Sequence, residues 1–336
     1  MRNSFEVAIG IVKNHCGSVL ISKRKKEDYL GGLWELPGGK KEAGETVGNA
    51  LRRELREELG IEVFRYRPLI KINISGRDPT TNLNVFEVID WCGEPRGEEG
   101  QEILWLAQEK FSDFSFPEHN FGINSAIFLP SLVAVTPRLG EDIDQYAREV
   151  KKLVKNGVKL VQVRPLTENA KDLDNLGRSL AETISAEEAK LMINGKLSQF
   201  DPALFQGLHL NCQEARKYET RPISRFHLLS TSCHNIEEVE HAEKIGVEFI
   251  YLSPVNKTVT HRARSPIGWM ELGNLVQRCS VPVYALGGLA LPDVVSAREL
   301  GCQGIALKSA LWNQSGQKEI LNSFPLFLDQ LDRCFL

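Results

Sequence analysis

Eight short apolar runs divide the second part of the chain, and no other feature restricts the fold as much. They fall at 132–136, 159–164, 190–194, 207–210, 226–231, 249–253, 282–286 and 304–308. Most are separated by amphipathic stretches of helical length, at 141–155, 170–187, 236–245, 269–278 and 291–300. A run this short that is largely apolar and does not alternate suits a strand covered on both faces. Eight such strands alternating with helices over about 200 residues predict a (β/α)8 TIM barrel. A doubly wound open sheet is the alternative. The count of eight, and Gly287-Gly288 after the seventh run, favour the barrel.

Before residue 131 the rhythm is different. Val7 to Val12 reads as a strand, Asn14 to Gly17 as a hairpin turn, and Val19 to Ser22 as its return. A helix is expected over roughly 46–59 and another from about 119 to 128. Strand-like runs lie near 69–74 and 83–90 and at Ile103 to Leu106. Pro130 marks a boundary, so the chain is divided into domains 1–130 and 131–336. At 336 residues, two domains are the expected number.

The chemistry concentrates in residues 39–61. Gly39 is followed after five residues by Glu45 and after seven more by Arg53-Glu54-Leu55, then by Glu57-Glu58 and Gly60-Ile61. On a helix, Glu54, Glu57 and Glu58 stand at i, i+3 and i+4 and share a face. Carboxylates at that density repel unless a cation sits among them, and hard oxygen ligands suit Mg²⁺, with Mn²⁺ as a substitute. Pro37-Gly38-Gly39 forces a loop whose backbone can approach a ligand closely. Glu57 and Glu58 are the strongest metal ligands, with Glu54 beside them and the Gly38 carbonyl as an extra one. Arg53 would orient the carboxylates, and Glu45 would brace the loop against the helix.

This segment resembles the Nudix box, G-x5-E-x7-R-E-U-x-E-E-x-G-U, at every fixed position. The resemblance implies an α/β/α sandwich that hydrolyses nucleoside diphosphates linked to another group. Trp34-Glu35-Leu36-Pro37-Gly38-Gly39-Lys40, Glu99-Gly100-Gln101 and Phe116-Pro117-Glu118-His119-Asn120 narrow it to the MutT type, the 8-oxo-dGTP diphosphatases. In that type Glu99 matches a further metal-site carboxylate and candidate base. Arg24, Leu36 and Asn120 match substrate-contacting positions, Asn120 reading the oxidised purine. The expected reaction is 8-oxo-dGTP to 8-oxo-dGMP and pyrophosphate, which removes a damaged nucleoside triphosphate before DNA synthesis. Taken singly, Asn120 is equally a helix cap, Arg24 a surface charge and Glu99 a solvated loop residue.

The second domain resembles thiamine-phosphate synthase and its TenI-like relatives. The matches are Asn156 to Arg164, Leu191 to Asn194, Gly207 to Leu210, Pro254 to Thr260 and Pro282 to Gly288. Gln162, Arg164, Asn194, Thr258, Thr260, Gly288 and Ser309 fall at or just after strand C-termini, where barrel sites form. They are candidates to hold a phosphorylated thiazole or thiamine phosphate. The chain departs from that family where it matters: Pro165-Leu166 replaces a lysine position, Gly195 stands where an aspartate would bind Mg²⁺, and His261 replaces a second lysine. The resemblance with those losses implies a degenerate barrel. An active synthase, a phosphate-ligand sensor or interaction platform, and a Nudix site turned to a thiamine-pathway diphosphate are the alternatives.

A net charge of −3 with no basic tract excludes stable nucleic-acid binding. No apolar stretch approaches a membrane span, and Met1 to Glu6 lead into a strand, so a cytoplasmic protein is expected. The seven cysteines are scattered and odd in number, which fits reduced thiols better than a disulfide frame or a zinc site. The barrel histidines, His209 among them, read as structural.

Overall fold

The computed structural model describes residues 4–27, 30–74, 80–118, 120–138, 142–164, 170–258 and 265–312. Two compact units emerge, with the division between Phe128 and Leu129.

The first unit is an α/β/α sandwich. Its strands are β1 (Ser4–Val12), β2 (Val19–Lys23), β3 (Trp34–Glu35), β4 (Gly38–Lys40), β5 (Glu62–Ile74), β6 (Thr80–Cys92) and β7 (Ile103–Leu106). One sheet runs in the order β4-β1-β6-β5 and the other β3-β2-β7. The helices are α1 (Val47–Leu59) and α2 (Asn120–Phe128). Alternation along β1 builds both cores. Ala8 and Val12 pack with Leu51, Leu55 and Leu59 of α1, while Ile9 and Ile11 pack with Ile123 and Ile127 of α2. Gly10 lets α1 close down, because a Cβ there would stand 2.7 Å from Leu55 Cδ1. The Thr46 hydroxyl caps α1 by accepting from Asn49 N at 3.2 Å, and Gly60 ends the helix in the left-handed conformation.

The second unit closes a parallel barrel. Its strands are β8 (Leu132–Arg138), β9 (Leu160–Arg164), β10 (Lys190–Asn194), β11 (Gly207–Leu210), β12 (Leu228–Cys233), β13 (Phe249–Leu252), β14 (Val283–Leu286) and β15 (Gly304–Leu307). Each pairs with the next, and β15 returns to β8 through Ile305↔Leu132. The helices are α3 (Ile143–Lys155), α4 (Ala170–Ala186), α5 (Cys212–Ala215), α6 (Ile236–Lys244), α7 (Gly268–Val276), α8 (Asp293–Glu299) and α9 (Ser309–Trp312). The open-sheet alternative is therefore excluded. Between β10 and β11 the chain forms one turn of 3-10 helix, Leu197–Gln199, in place of a full helix. Val133, Val135, Leu160, Met192, Phe249, Tyr251, Tyr284 and Ala306 form the buried cluster of the barrel. Among the described residues no helix is long and apolar enough to cross a membrane, and the six described cysteines form no disulfide.

One part-buried charge cluster ties the sandwich together. Glu87 on β6 takes Lys13 Nζ at 3.1 Å and Arg67 Nη2 at 2.6 Å. Burial alone pushes this carboxyl up, but the two cations outweigh it and hold it at about 2, against an ordinary 4.5. A carboxyl lowered on folding stabilises the fold above its unfolded value and ceases to as pH falls through its folded value. The first unit should therefore lose stability between about pH 4.5 and 2, in thermal melts taken across that range. Glu87→Gln should flatten this acid limb and cost on the order of 2–3 kcal/mol near neutral pH.

Candidate active site

The site is built where β4 passes under α1. Gly38 has φ +141°, and a Cβ there would stand 2.1 Å from Ala8 O, so only glycine lets β4 pair with β1 at this point. Gly39 lies against the Glu54 carboxyl: an added Cβ would meet Glu54 Cδ at 2.3 Å. Gly38 N donates to Glu58 Oε2 at 3.0 Å. The two glycines of β4 thus position two carboxylates of α1.

Arg53 organises the rest. Its Nη2 reaches Glu45 Oε1 at 2.8 Å and Lys40 O at 3.0 Å, and its Nη1 reaches Glu54 Oε1 at 2.8 Å and Glu57 Oε2 at 3.1 Å. Glu45 also accepts from Glu42 N at 2.7 Å, which ties the loop to the helix. Hydrogen bonding to Arg53 holds the Glu45 carboxyl below its ordinary value. Burial pushes Glu54 up, against the pull of Arg53.

The three acids of α1 are not equivalent. Glu54 is 15% exposed and Glu57 is 56% exposed. Glu58 carries the strongest perturbation. Burial pushes it to about 8, the bond from Gly38 N opposes the rise, and the charges of Glu35, Glu54 and Glu99 add to it. Four carboxylates therefore share one field. Glu99 is steadied by Lys25 Nζ at 3.1 Å, and Gln101 Nε2 donates to Glu58 O at 2.8 Å. Arg24 pairs with Glu35, so that pair sits at the same edge. Glu35, Lys25 and Gln101 carried no signal of their own in the sequence beyond lying in or beside the matched motifs. Asn120 opens α2 and is buried. Leu36 has its side chain in the core with Ile9, Ile21 and Ile123.

The barrel candidates lie along the C-terminal ends of the strands. Gln162 is buried in the interior, where its Oε1 has no hydrogen-bond partner among the described residues. His209 on β11 is held by Ser230 Oγ at 2.8 Å and Ser232 Oγ at 3.0 Å. Burial, with the nearby Arg164 charge, lowers His209 to about 3, so the ring is neutral. Arg164 and Asn194 end β9 and β10, Ser309 opens α9, and Thr258 lies in the loop after β13. Gly287 and Gly288, at φ +107° and +66°, press against Pro254 and Asn256. Thr260, Pro165, Leu166, His119 and His261 lie outside the described residues. At Gly195 the space for a side chain is taken: a Cβ would stand 2.5 Å from Gln199 Oε1, which accepts from Lys196 N at 2.8 Å.

Comparison with known proteins agrees with both units. The NUDIX domain model matches residues 8–123, and the thiamine monophosphate synthase model matches residues 132–311. An 8-oxo-dGTP diphosphatase of Haemophilus influenzae is 35% identical over 115 residues, which is 34% of this chain and 85% of that protein. A putative thiamine-phosphate synthase 2 of Aquifex aeolicus is 32% identical over 183 residues, 53% of this chain and 95% of that protein. The chain belongs to the Nudix family and to the thiamine monophosphate synthase family. Nudix hydrolases act with a divalent metal ion. The acidic field suits one, since a carboxyl raised to about 8 by burial and three like charges is a group that a cation would return to its ionised form.

The Gly39–Glu54 contact gives a test. Gly39→Ala should leave the melting temperature almost unchanged, because the obstructed atoms are the end of a flexible side chain. Displacing Glu54 should lower nucleotide hydrolysis roughly 10- to 100-fold in steady-state assays, the scale of a small misplacement at a reacting centre.

Proposed function

We propose that the Nudix unit is a Mg²⁺-dependent nucleoside triphosphate pyrophosphohydrolase, with 8-oxo-dGTP as its substrate and 8-oxo-dGMP and pyrophosphate as products. The observation that carries this reading is the convergence of Glu35, Glu54 and Glu99 on half-buried Glu58 beside the Gly38 amide. The identity shared with the Haemophilus 8-oxo-dGTP diphosphatase supports the choice of substrate.

Glu54, Glu57, Glu58, Glu99 and the Gly38 carbonyl would hold the metal. Its chemistry when bound is to neutralise phosphate charge and acidify water. Water attacks phosphorus, the P–O bond to the departing pyrophosphate breaks, and the water proton passes to a carboxylate, for which Glu99 is the candidate. Arg53 keeps Glu54 and Glu57 in place against their mutual repulsion. Asn120 reads the base. Its amide offers an acceptor to the N7–H that oxidation creates and a donor to the neighbouring oxygen. Arg24 contacts the nucleotide.

The decisive assay measures pyrophosphate release from 8-oxo-dGTP, dGTP and thiamine-pathway diphosphates with Mg²⁺. The oxidised nucleotide should be preferred. Glu57→Gln and Glu58→Gln should each lose about 100-fold or more in turnover while keeping the fold, since an amide oxygen can still accept from Gly38 N. Asn120→Ala should narrow the ratio between 8-oxo-dGTP and dGTP. Near-normal rates in both glutamine variants, or an unchanged ratio, would count against the assignment.

We infer that the barrel binds a phosphorylated thiazole or thiamine phosphate without making thiamine phosphate at a useful rate. Gly195 supports this, because it offers no carboxylate for Mg²⁺ and the Gln199 amide occupies the space where one would stand. Leu166 and His261 remove two further cations in sequence. A leaving pyrophosphate needs that neutralisation. The full chain, given both thiamine precursors and Mg²⁺, should yield no product above background. Strong synthesis abolished by Arg164→Ala would refute the inference.

A further inference from the structure

The barrel carries a second group of potential ligands that neither reading uses. Cys212 opens α5, His234 follows β12, and Glu238 lies in the first turn of α6. One ligand atom from each lies within 4.8 Å of the other two. Glu238 is 10% exposed and His234 is 21% exposed. Beside them lies a cavity of about 190 Å³ lined in part by Cys212, Arg216, Thr231, Ser232, Glu238 and His241. Thr231 is 2% exposed, and its Oγ1 in this cavity wall has no hydrogen-bond partner among the described residues. A buried hydroxyl without a partner costs about 1–3 kcal/mol unless something in the cavity meets it.

From this geometry we propose that Cys212, His234 and Glu238 bind a zinc-class divalent cation whose remaining coordination position opens into the cavity. The donor set is a thiolate, an imidazole and a carboxylate, which suits Zn²⁺ and not Mg²⁺. In a tetrahedral shell such donors stand roughly 3.3–3.6 Å apart. His234 Nδ1 and Glu238 Oε2 now stand 2.7 Å apart, joined by a hydrogen bond. Movements of about 1 Å by three side chains would admit the ion. Cys212 gives up its thiol proton to solvent, so thiolate and carboxylate together balance the ion's charge. Arg216 Nη2 holds Glu238 Oε1 at 3.0 Å, and His234 N steadies Oε2 at 2.9 Å. These contacts aim the carboxylate at the site. Three protein ligands with one open position is the arrangement of a catalytic zinc site and not of a closed structural one. Thr231 Oγ1 supplies a hydrogen-bonding group to whatever fills that position.

Cobalt tests this in the full chain, with Mg²⁺ in excess. A cysteine thiolate on Co²⁺ gives a near-ultraviolet charge-transfer band, which the all-oxygen Nudix site cannot give. Titration should produce that band to one equivalent, and Zn²⁺ should displace it. Cys212→Ser should abolish the band while pyrophosphate release by the Nudix unit continues. His234→Gln and Glu238→Gln should each weaken Co²⁺ binding at least ~10-fold. No band in the parent protein, or a band that survives Cys212→Ser, would overturn the proposal. If the serine variant does not fold, His234→Gln decides, and unchanged Co²⁺ affinity there overturns it equally.

Discussion

A single guanidinium holds the acidic face of the first unit in one piece. Arg53 spans Glu45, Glu54, Glu57 and the Lys40 carbonyl, and without it these groups would turn apart into solvent. Its own proton is bound more firmly than usual, chiefly through the bond to Glu45. This clamp rests on close backbone packing at three glycines. Gly10 lets α1 lie close to β1, Gly38 lets β4 pair with β1, and Gly39 leaves room for the Glu54 carboxyl. The acidic field is therefore a product of backbone packing as much as of charge. A side chain at Gly39 would move a carboxylate before it altered the fold, whereas one at Gly38 would strike the Ala8 carbonyl and disturb the pairing of β4 with β1.

The barrel was legible because its strands are buried on both faces. Runs such as Leu191 to Ile193 or Phe249 to Leu252 are apolar on every residue and end abruptly. The sandwich strands were only partly legible. β5 and β6 each run 13 residues, yet apolar runs marked only parts of them. Arg65, Arg67 and Glu87 interrupt the pattern, and the register slips at Val63/Arg65 and Pro68/Ile70. Trp34–Glu35 and Gly38–Lys40 gave no strand signal, since strands of two and three residues exist only through pairing with β2 and β1.

Chemistry that is contiguous in sequence was visible, and chemistry assembled through space was not. The box spans one loop and one helix, so spacing alone put Glu54, Glu57 and Glu58 together. Glu35 acts on Glu58 across the fold, and nothing in its own surroundings announced that. Cys212, His234 and Glu238 are drawn together by the ends of two neighbouring strands. Scattered cysteines read from the chain alone argued against a metal site. The interior of the barrel shows the same limit: His209 is as buried as any core residue, yet two serine hydroxyls satisfy both of its ring nitrogens.

The contact between Gly195 and Gln199 has a consequence for how such a barrel can change. Gln199 fills the space beyond Gly195 and also takes the amide of Lys196, so it secures the turn after β10. A carboxylate introduced at 195 would have to displace that amide and so disturb its bond to Lys196 N. Shortening Gln199 alone would loosen the turn and gain nothing. Positions 195 and 199 are therefore coupled: a side chain at the first has room only as far as the second gives way.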